Sequence, residues 1–412
     1  MKRAIHIIIY IIAAAVGAAA AVADRVNPAA IADVSFVNIY PGSEIYELEG
    51  HSALKIRVGA RELAVSYGTF DFDAPNFVYR YVKGETDYWV TVVPWQQFVQ
   101  PYVMQGRRIV EHQLDMDNIQ KERLFRLLDK NERPENKVYR YNYVYDNCAT
   151  RPLRIVERAM GDSIVLGPAA EGSDGQDETF RSIMRRYHAN YPWYQFGIDL
   201  ALGSGIDRPV NNREKSFAPV VLDTQLAGAT VSGRRLVRQT RVINDVPAEN
   251  AVLAPTPWYL TPLAVCWAFF VLVATVCVYD IKKKHCSRWL YGFVSLIYGL
   301  SGLLIWFLVF VSEHEATAPN LVMVWLNPLW LVTAFSVWFP RARLISGYAF
   351  AMQAVAITLL MLCWLFATQI SNAAFWPLMF AGVSVSGTYL WINKDSLLHS
   401  LVKKVNRAER TK

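Results

Sequence analysis

Cys148 and His51 are the two side chains of this sequence whose types suit nucleophilic acyl chemistry, with the histidine about 97 residues before the cysteine. A thiolate attacks carbonyl carbon, and it needs a base to take its proton; an imidazole does this near neutral pH. Cys148 lies in the stretch 139–161, YRYNYVYDNCATRPLRIVERAMG. A tyrosine-alternating run ends there at Asp146-Asn147, and the pattern predicts an amphipathic helix with Cys148 in its first turn. Unpaired N–H groups at a helix start favour thiolate over thiol and can hold an oxyanion. The competing reading is a buried structural cysteine. The rest of the chain decides between them.

The sequence has 412 residues, is 53% hydrophobic and 13% aromatic, and carries a formal charge of +7. Its hydrophobicity is uneven. The N-terminus, MKRAIHIIIYIIAAAVGAAAAVADR, has the basic start, apolar core and small-residue end of a signal peptide, with a cut expected after Ala23. Residues 24–245 read as one globular exported domain and 246–257 as a linker. Residues 258–393 read as membrane, with five apolar segments at roughly 258–279, 289–311, 321–339, 345–368 and 373–392. Residues 394–412 form a basic tail. Lys and Arg gather at 282–288, at 341–343 and in the tail, whereas 246–257, 312–319 and 369–374 have none. The positive-inside rule then places residues 24–257 in the periplasm of a multi-pass inner-membrane protein and the C-terminus in the cytoplasm. The basic balance is thus a topology signal. No helix or finger motif suggests nucleic acid, no ligand spacing suggests a metal, and no cofactor motif is present.

Cys266, Cys277 and Cys363 fall in apolar spans and Cys286 in a cytoplasmic loop, so Cys148 is the sole cysteine of the exported domain. An unpaired thiol in an oxidising compartment is a liability unless used or deeply buried, which favours the catalytic reading. Outward-facing histidines are His51, His112, His188 and His314. His112 and His188 read as solvated surface. His51 interrupts an apolar strand pattern as Gly50-His51-Ser52 and is the best partner for the thiol.

These residues must be positioned by strands at 35–40, 44–58, 62–67, 107–114 and 138–143, and by helices at 95–105, 118–130, 179–189 and 191–202. The segment 67–93 reads as a loop or short helix between strands, and 230–232 with 236–243 as a terminal hairpin around Gly233. The expected fold is an α+β exported domain, an antiparallel sheet with helices, followed by an all-α transmembrane bundle of five helices.

GHSALKI at 50–56, YGTFDF at 67–72, YVKGE at 81–85 and YDNCATRP at 145–152 together resemble the exported domain of Lnb-type bacterial lipoprotein N-acyltransferases. The resemblance covers most of 35–245, and the apolar spans match members with a polytopic C-terminal half. It implies a Cys-His acyltransferase, with Cys148 attacking a phospholipid acyl ester to form a thioester. The acyl chain would then pass to the α-amine of a lipoprotein's diacylglyceryl-cysteine, with His51 as base. The order His before Cys is also similar to permuted papain-like folds, a fold-level analogy. Glu49 departs from the family pattern, whose corresponding position is usually aromatic.

Around the dyad, Asp146 or Asn147 is a candidate cap for the Cys148 helix. Arg151 is placed to pair with phosphate or with a carboxylate, and Tyr67, Asp71 and Asp73 to orient His51. In the loop SEHEATAPN at 312–320, Glu313, His314, Glu315 and Asn320 are candidates for lining a lipid entrance. Two other readings stand beside the acyltransferase. One is a membrane-tethered Cys-His peptidase or amidase acting on cell-wall peptides, against which the polytopic half argues. The other is a non-enzymatic assembly or transport component, against which retention of both dyad residues argues.

Overall fold

The computed structural model describes residues 28–169 and 178–409, so the expected signal peptide lies outside the described residues. Two compact units result: residues 1–187 with 209–254, and residues 188–208 with 255–412.

The first unit is built around β1 (Ala32–Ile39), whose residues other than Asp33 are all buried. A strand apolar on both faces belongs in the middle of a sheet, and β1 pairs antiparallel with β2 (His51–Val58) and with β5 (Ile109–Leu114). β3 (Arg61–Thr69), β4 (Asp87–Pro94), β6 (Val138–Arg140) and β7 (Val237–Asn244) complete a seven-stranded sheet in the order β7-β5-β1-β2-β3-β4-β6. Alternation along the strands sends Phe36, Leu54, Val65 and Tyr67 to one face. There they pack with α3 (Asn118–Glu132), α4 (Thr150–Met160) and α7 (Pro219–Ala227). Val37, Ile39, Ala53 and Ala64 go to the other face, under α2 (Trp95–Met104). The α+β antiparallel expectation holds.

Three local expectations change. β2 begins at His51 and not at residue 44, because Gly50 turns the chain there with φ +87°. A Cβ on Gly50 would sit 2.3 Å from the Ile39 carbonyl oxygen, so no side chain fits. The aromatic segment 67–93 holds a helix, α1 (Phe77–Lys83), and a full strand, β4; its many rings obscured the period-two signal of DYWVTVV. The terminal hairpin is shorter than expected. Thr230–Val231 pairs with Arg234–Arg235, and β7 instead joins the main sheet beside β5.

The second unit is helical. Its segment α6 (Pro192–Ala201) comes from the stretch expected to belong wholly to the exported domain. Within this unit Asn320 donates to the carbonyls of Leu200 and Ala201, and Asn372 to Asp199 Oδ2 at 2.8 Å. Among the described residues, four helices are long and apolar enough to cross a membrane: Pro262–Lys283, Arg288–Phe310, Pro340–Trp364 and Phe375–His399. The expected third of five spans is instead broken into Val322–Trp325 and Trp330–Ser336. Pro328 lacks an N–H and pushes Asn327 out of the helical region. The Asn327 amide binds the Val324 carbonyl and pairs reciprocally with Gln353 at 2.9 and 3.0 Å. Gly302 lies against this break, where a Cβ would approach the Asn327 backbone to 2.5 Å. The described bundle is four long helices plus a broken segment.

Candidate active site

His51 is the first residue of β2, and its imidazole Nε2 lies 2.8 Å from the Ser66 hydroxyl of β3. The ring stacks on Tyr102 at 6.3 Å and packs near Phe98 at 6.2 Å, both from α2. Behind Tyr102 lies Arg107, 1% exposed, with its guanidinium 4.9 Å from the Tyr102 ring centroid. Arg107 is held by Glu47 Oε1 and the Tyr40 carbonyl, each at 2.7 Å. Burial first, and the Arg107 charge second, hold the His51 imidazole down at about 4. At neutral pH it is an unprotonated base.

Cys148 is buried and sits in the turn just before α4, two residues ahead of the helix start that the sequence pattern placed at the cysteine itself. Its sulfur faces the backbone N–H of Ser52, the residue after His51, and Tyr141 Oη donates to it from 3.9 Å. This Ser52 contact places the thiol at the start of the histidine's strand. Gly68 makes room for it: φ there is +94°, and a Cβ would lie 3.2 Å from the Tyr141 ring and 3.8 Å from Cys148 Cβ. Despite the helix-start placement, the thiol is pushed above its ordinary value. Burial is the chief cause and the Glu49 charge adds to it, while the bonds from Ser52 and Tyr141 only partly offset them. At neutral pH the Cys148 thiol and the His51 imidazole are each uncharged.

Asn147 caps the turn. Its Oδ1 accepts the N–H groups of Ala149 and Thr150, both at 2.9 Å, and its Nδ2 donates to the carbonyls of Tyr143 and Phe217. Those two helix-start donors are therefore spent on the cap. Asp146 takes a bidentate bond from Arg151, at 3.0 and 2.7 Å, and pairs with Arg154. The Arg151 guanidinium also lies 3.5 Å above the Tyr139 ring, so it is paired with a carboxylate of its own domain. Tyr67 is fully buried in the core on the other face of β3 from Ser66, and Asp71 accepts the Asp73 N–H in an exposed turn. The partner found on His51 Nε2 is Ser66, which no motif in the sequence marked.

Glu49 is buried and accepts the Tyr143 hydroxyl at 2.5 Å, so the departure at this position places a carboxylate near the thiol. In the second unit, Asn320 is a buried staple that also accepts from the Val322 N–H and Gln369. The His314 carbonyl accepts from Thr317, and Glu313 is exposed.

Two histidines read as solvated are buried. His112, 2% exposed, bonds Asp223 at 2.7 Å and Thr240 at 3.0 Å. His188 bonds Gln195 at 2.7 Å. Asp223 also binds Tyr40 and Asn38, and Asn38 accepts from the Ser52 hydroxyl at 2.7 Å, fixing the residue whose N–H meets the sulfur. These partners come from β1, β2, β5, β7 and α7, and no sequence spacing announces them.

The family model of the Lnb N-terminal periplasmic domain matches residues 19–183, and that of the Lnb transmembrane domain matches residues 254–396. No curated protein and no solved structure matches the chain. With its sheet-and-helix unit under the first match and its apolar helices under the second, the chain belongs to the Lnb family, a periplasmic domain followed by a transmembrane domain.

Proposed function

We propose that this protein is a lipoprotein N-acyltransferase working through a thioester on Cys148. The observation that carries the reading is the buried thiol of Cys148 facing the Ser52 N–H at the start of the strand that begins with His51. Membership of the Lnb family and the apolar helices of the second unit support it. The permuted papain-like arrangement, with the histidine strand before the cysteine turn, is part of the same proposal.

In the first half-reaction His51 takes the Cys148 proton as sulfur attacks the acyl ester of a phospholipid. With Nε2 engaged by Ser66, Nδ1 is the nitrogen for this task. The tetrahedral oxyanion meets the backbone N–H of Ser52, which faces the sulfur, and that of Cys148. The carbon–oxygen bond to glycerol breaks, the imidazolium protonates the leaving oxygen, and a lysophospholipid departs. In the second half the α-amine of a diacylglyceryl-cysteine attacks the thioester, the carbon–sulfur bond breaks, and its surplus proton returns through His51 to the sulfur. A buried thiol with a raised pKa suits this cycle, because base-coupled attack avoids a standing thiolate exposed to oxidation. The proposed topology has the catalytic unit in the periplasm, the C-terminus in the cytoplasm and the signal removed after Ala23.

Mass spectrometry of a model lipoprotein's N-terminal peptide, from cells depleted of other N-acylating enzymes, tests the reaction. Expression adds one acyl chain to the amine, and Cys148→Ser or His51→Ala abolishes it. Acylation by Cys148→Ala rules out the thioester; changed muropeptides without acylation point to the peptidase reading. A reporter fused after Lys412 reads cytoplasmic if the topology is right.

A further inference from the structure

A row of aromatic rings runs from the Cys148 sulfur to the surface of the first unit. Tyr141, whose hydroxyl lies 3.9 Å from the sulfur, stacks on Tyr88 with centroids 4.6 Å apart. Tyr88 meets Phe70 at 5.2 Å, and Phe70 meets Phe72 at 4.6 Å. Phe72 continues to Tyr46 at 5.9 Å. The outer end is open to solvent: Phe72 is 57% exposed, Tyr46 58%, and Val78, which follows Phe77 in α1, 73%; the Phe77 ring itself meets Phe70 and Phe72. Isolated exposed apolar residues are ordinary, but a contiguous set leading to a nucleophile marks a binding surface.

The cations around it do not form a headgroup site. Arg80 pairs with Asp87, and Lys83 with Glu85, so the charges of α1 are neutralised locally and its remaining face is apolar. A ligand lying along this row is therefore aliphatic, and at the thiol end it must present an acyl carbonyl. We infer that the row Tyr141–Tyr88–Phe70–Phe72 is the acyl-chain track of the donor lipid, with Phe72 and Val78 gripping the distal methylenes. The inference rests on the proposed thioester reaction and adds to it where the chain lies and which residues select its length. Each methylene taken out of water along the row adds to binding, so a long chain gains from the track and a short one does not.

The test uses the full-length protein in detergent with two donors, dihexanoyl and dipalmitoyl phosphatidylglycerol, and reads the Cys148 thioester by intact mass. Phe72→Ser/Val78→Ser slows thioester formation from the dipalmitoyl donor at least tenfold and from the dihexanoyl donor less than twofold. Phe72→Leu restores the long-chain rate. Equal losses with both donors, or none, overturn the track. A photoreactive palmitoyl phospholipid, crosslinked and mapped by peptide mass, gives an independent reading. Label on the peptides containing Phe72 and Val78, in a protein that forms no thioester, keeps the track and overturns the reaction. A thioester with the label elsewhere, or crosslinked copies in place of lipid, keeps the reaction and overturns the track.

Discussion

Ser66→Ala separates an oriented base from a merely nearby histidine. The Ser66 hydroxyl lies 2.8 Å from His51 Nε2, and Ser66 is 7% exposed, so water does not readily replace it. While the imidazole is neutral, this bond contributes about 0.5–1.5 kcal/mol; once His51 has taken the thiol proton, the bond is charge-assisted and contributes about 1.5–3 kcal/mol. Only the difference, about 1–1.5 kcal/mol, acts on the barrier, because a loss common to ground and transition states cancels. At about 1.36 kcal/mol per decade, thioester formation slows about 5- to 15-fold. Single-turnover acylation of Cys148, followed by intact mass, reads the rate. The ground-state share appears as a small fall in Tm, and Ser66→Thr, which keeps the hydroxyl, recovers part of the rate. A rate within twofold of wild type refutes the orienting role. A loss as complete as that of His51→Ala shows that Ser66 does more than hold the ring.

Other outcomes follow from the same geometry. With the imidazole held at about 4 and the thiol raised, acylation climbs through about pH 4 and stays flat to pH 8, with no inflection near 6.5; iodoacetamide alkylation of Cys148 keeps rising beyond pH 9. The unfolded chain protonates His51 below about 6.5 and the folded one only near 4, so this residue's stability contribution is lost as pH falls across that window. Denaturation of His51→Gln across it shows a shallower fall than wild type. Gly50→Ala puts a Cβ 2.3 Å from the Ile39 oxygen at φ +87° and costs about 3 kcal/mol or more, seen as loss of folded protein on expression. Asn327→Leu and Gln353→Leu each strand a buried amide and cost about 1–2 kcal/mol in detergent unfolding, while the double variant costs less than their sum.

How much was legible follows from the range of the forces involved. The apolar segments, the basic clusters and the solitary exported cysteine are local or compositional signals. They fixed the two-part plan and singled out Cys148 without any contact being known. The strand with His51 and the helix after Cys148 were legible because period-two and amphipathic patterns act within a few residues. The broken segment at Asn327-Pro328 was not, because apolar composition counts residues and ignores a proline whose freed backbone finds side-chain partners in the bundle. His112 and His188 looked solvated for the same reason: their neighbours in sequence are polar, while their partners, Asp223 and Gln195, arrive from other elements.

At the candidate site, the sequence alone singled out the atoms proposed to react, the thiol of Cys148 and the imidazole of His51. Only the tertiary structure decided their protonation and their company. A helix start pulls a thiol down, yet full burial and the Glu49 charge push it up by more, and burial is a property of the packed core. Ser66 meets the histidine and Arg107 adds to the depression of its pKa because strand register and the connection after α2 place them there. Such long-range contacts leave no periodic trace in the sequence, since they join residues whose separation along the chain is unrelated to their separation in space.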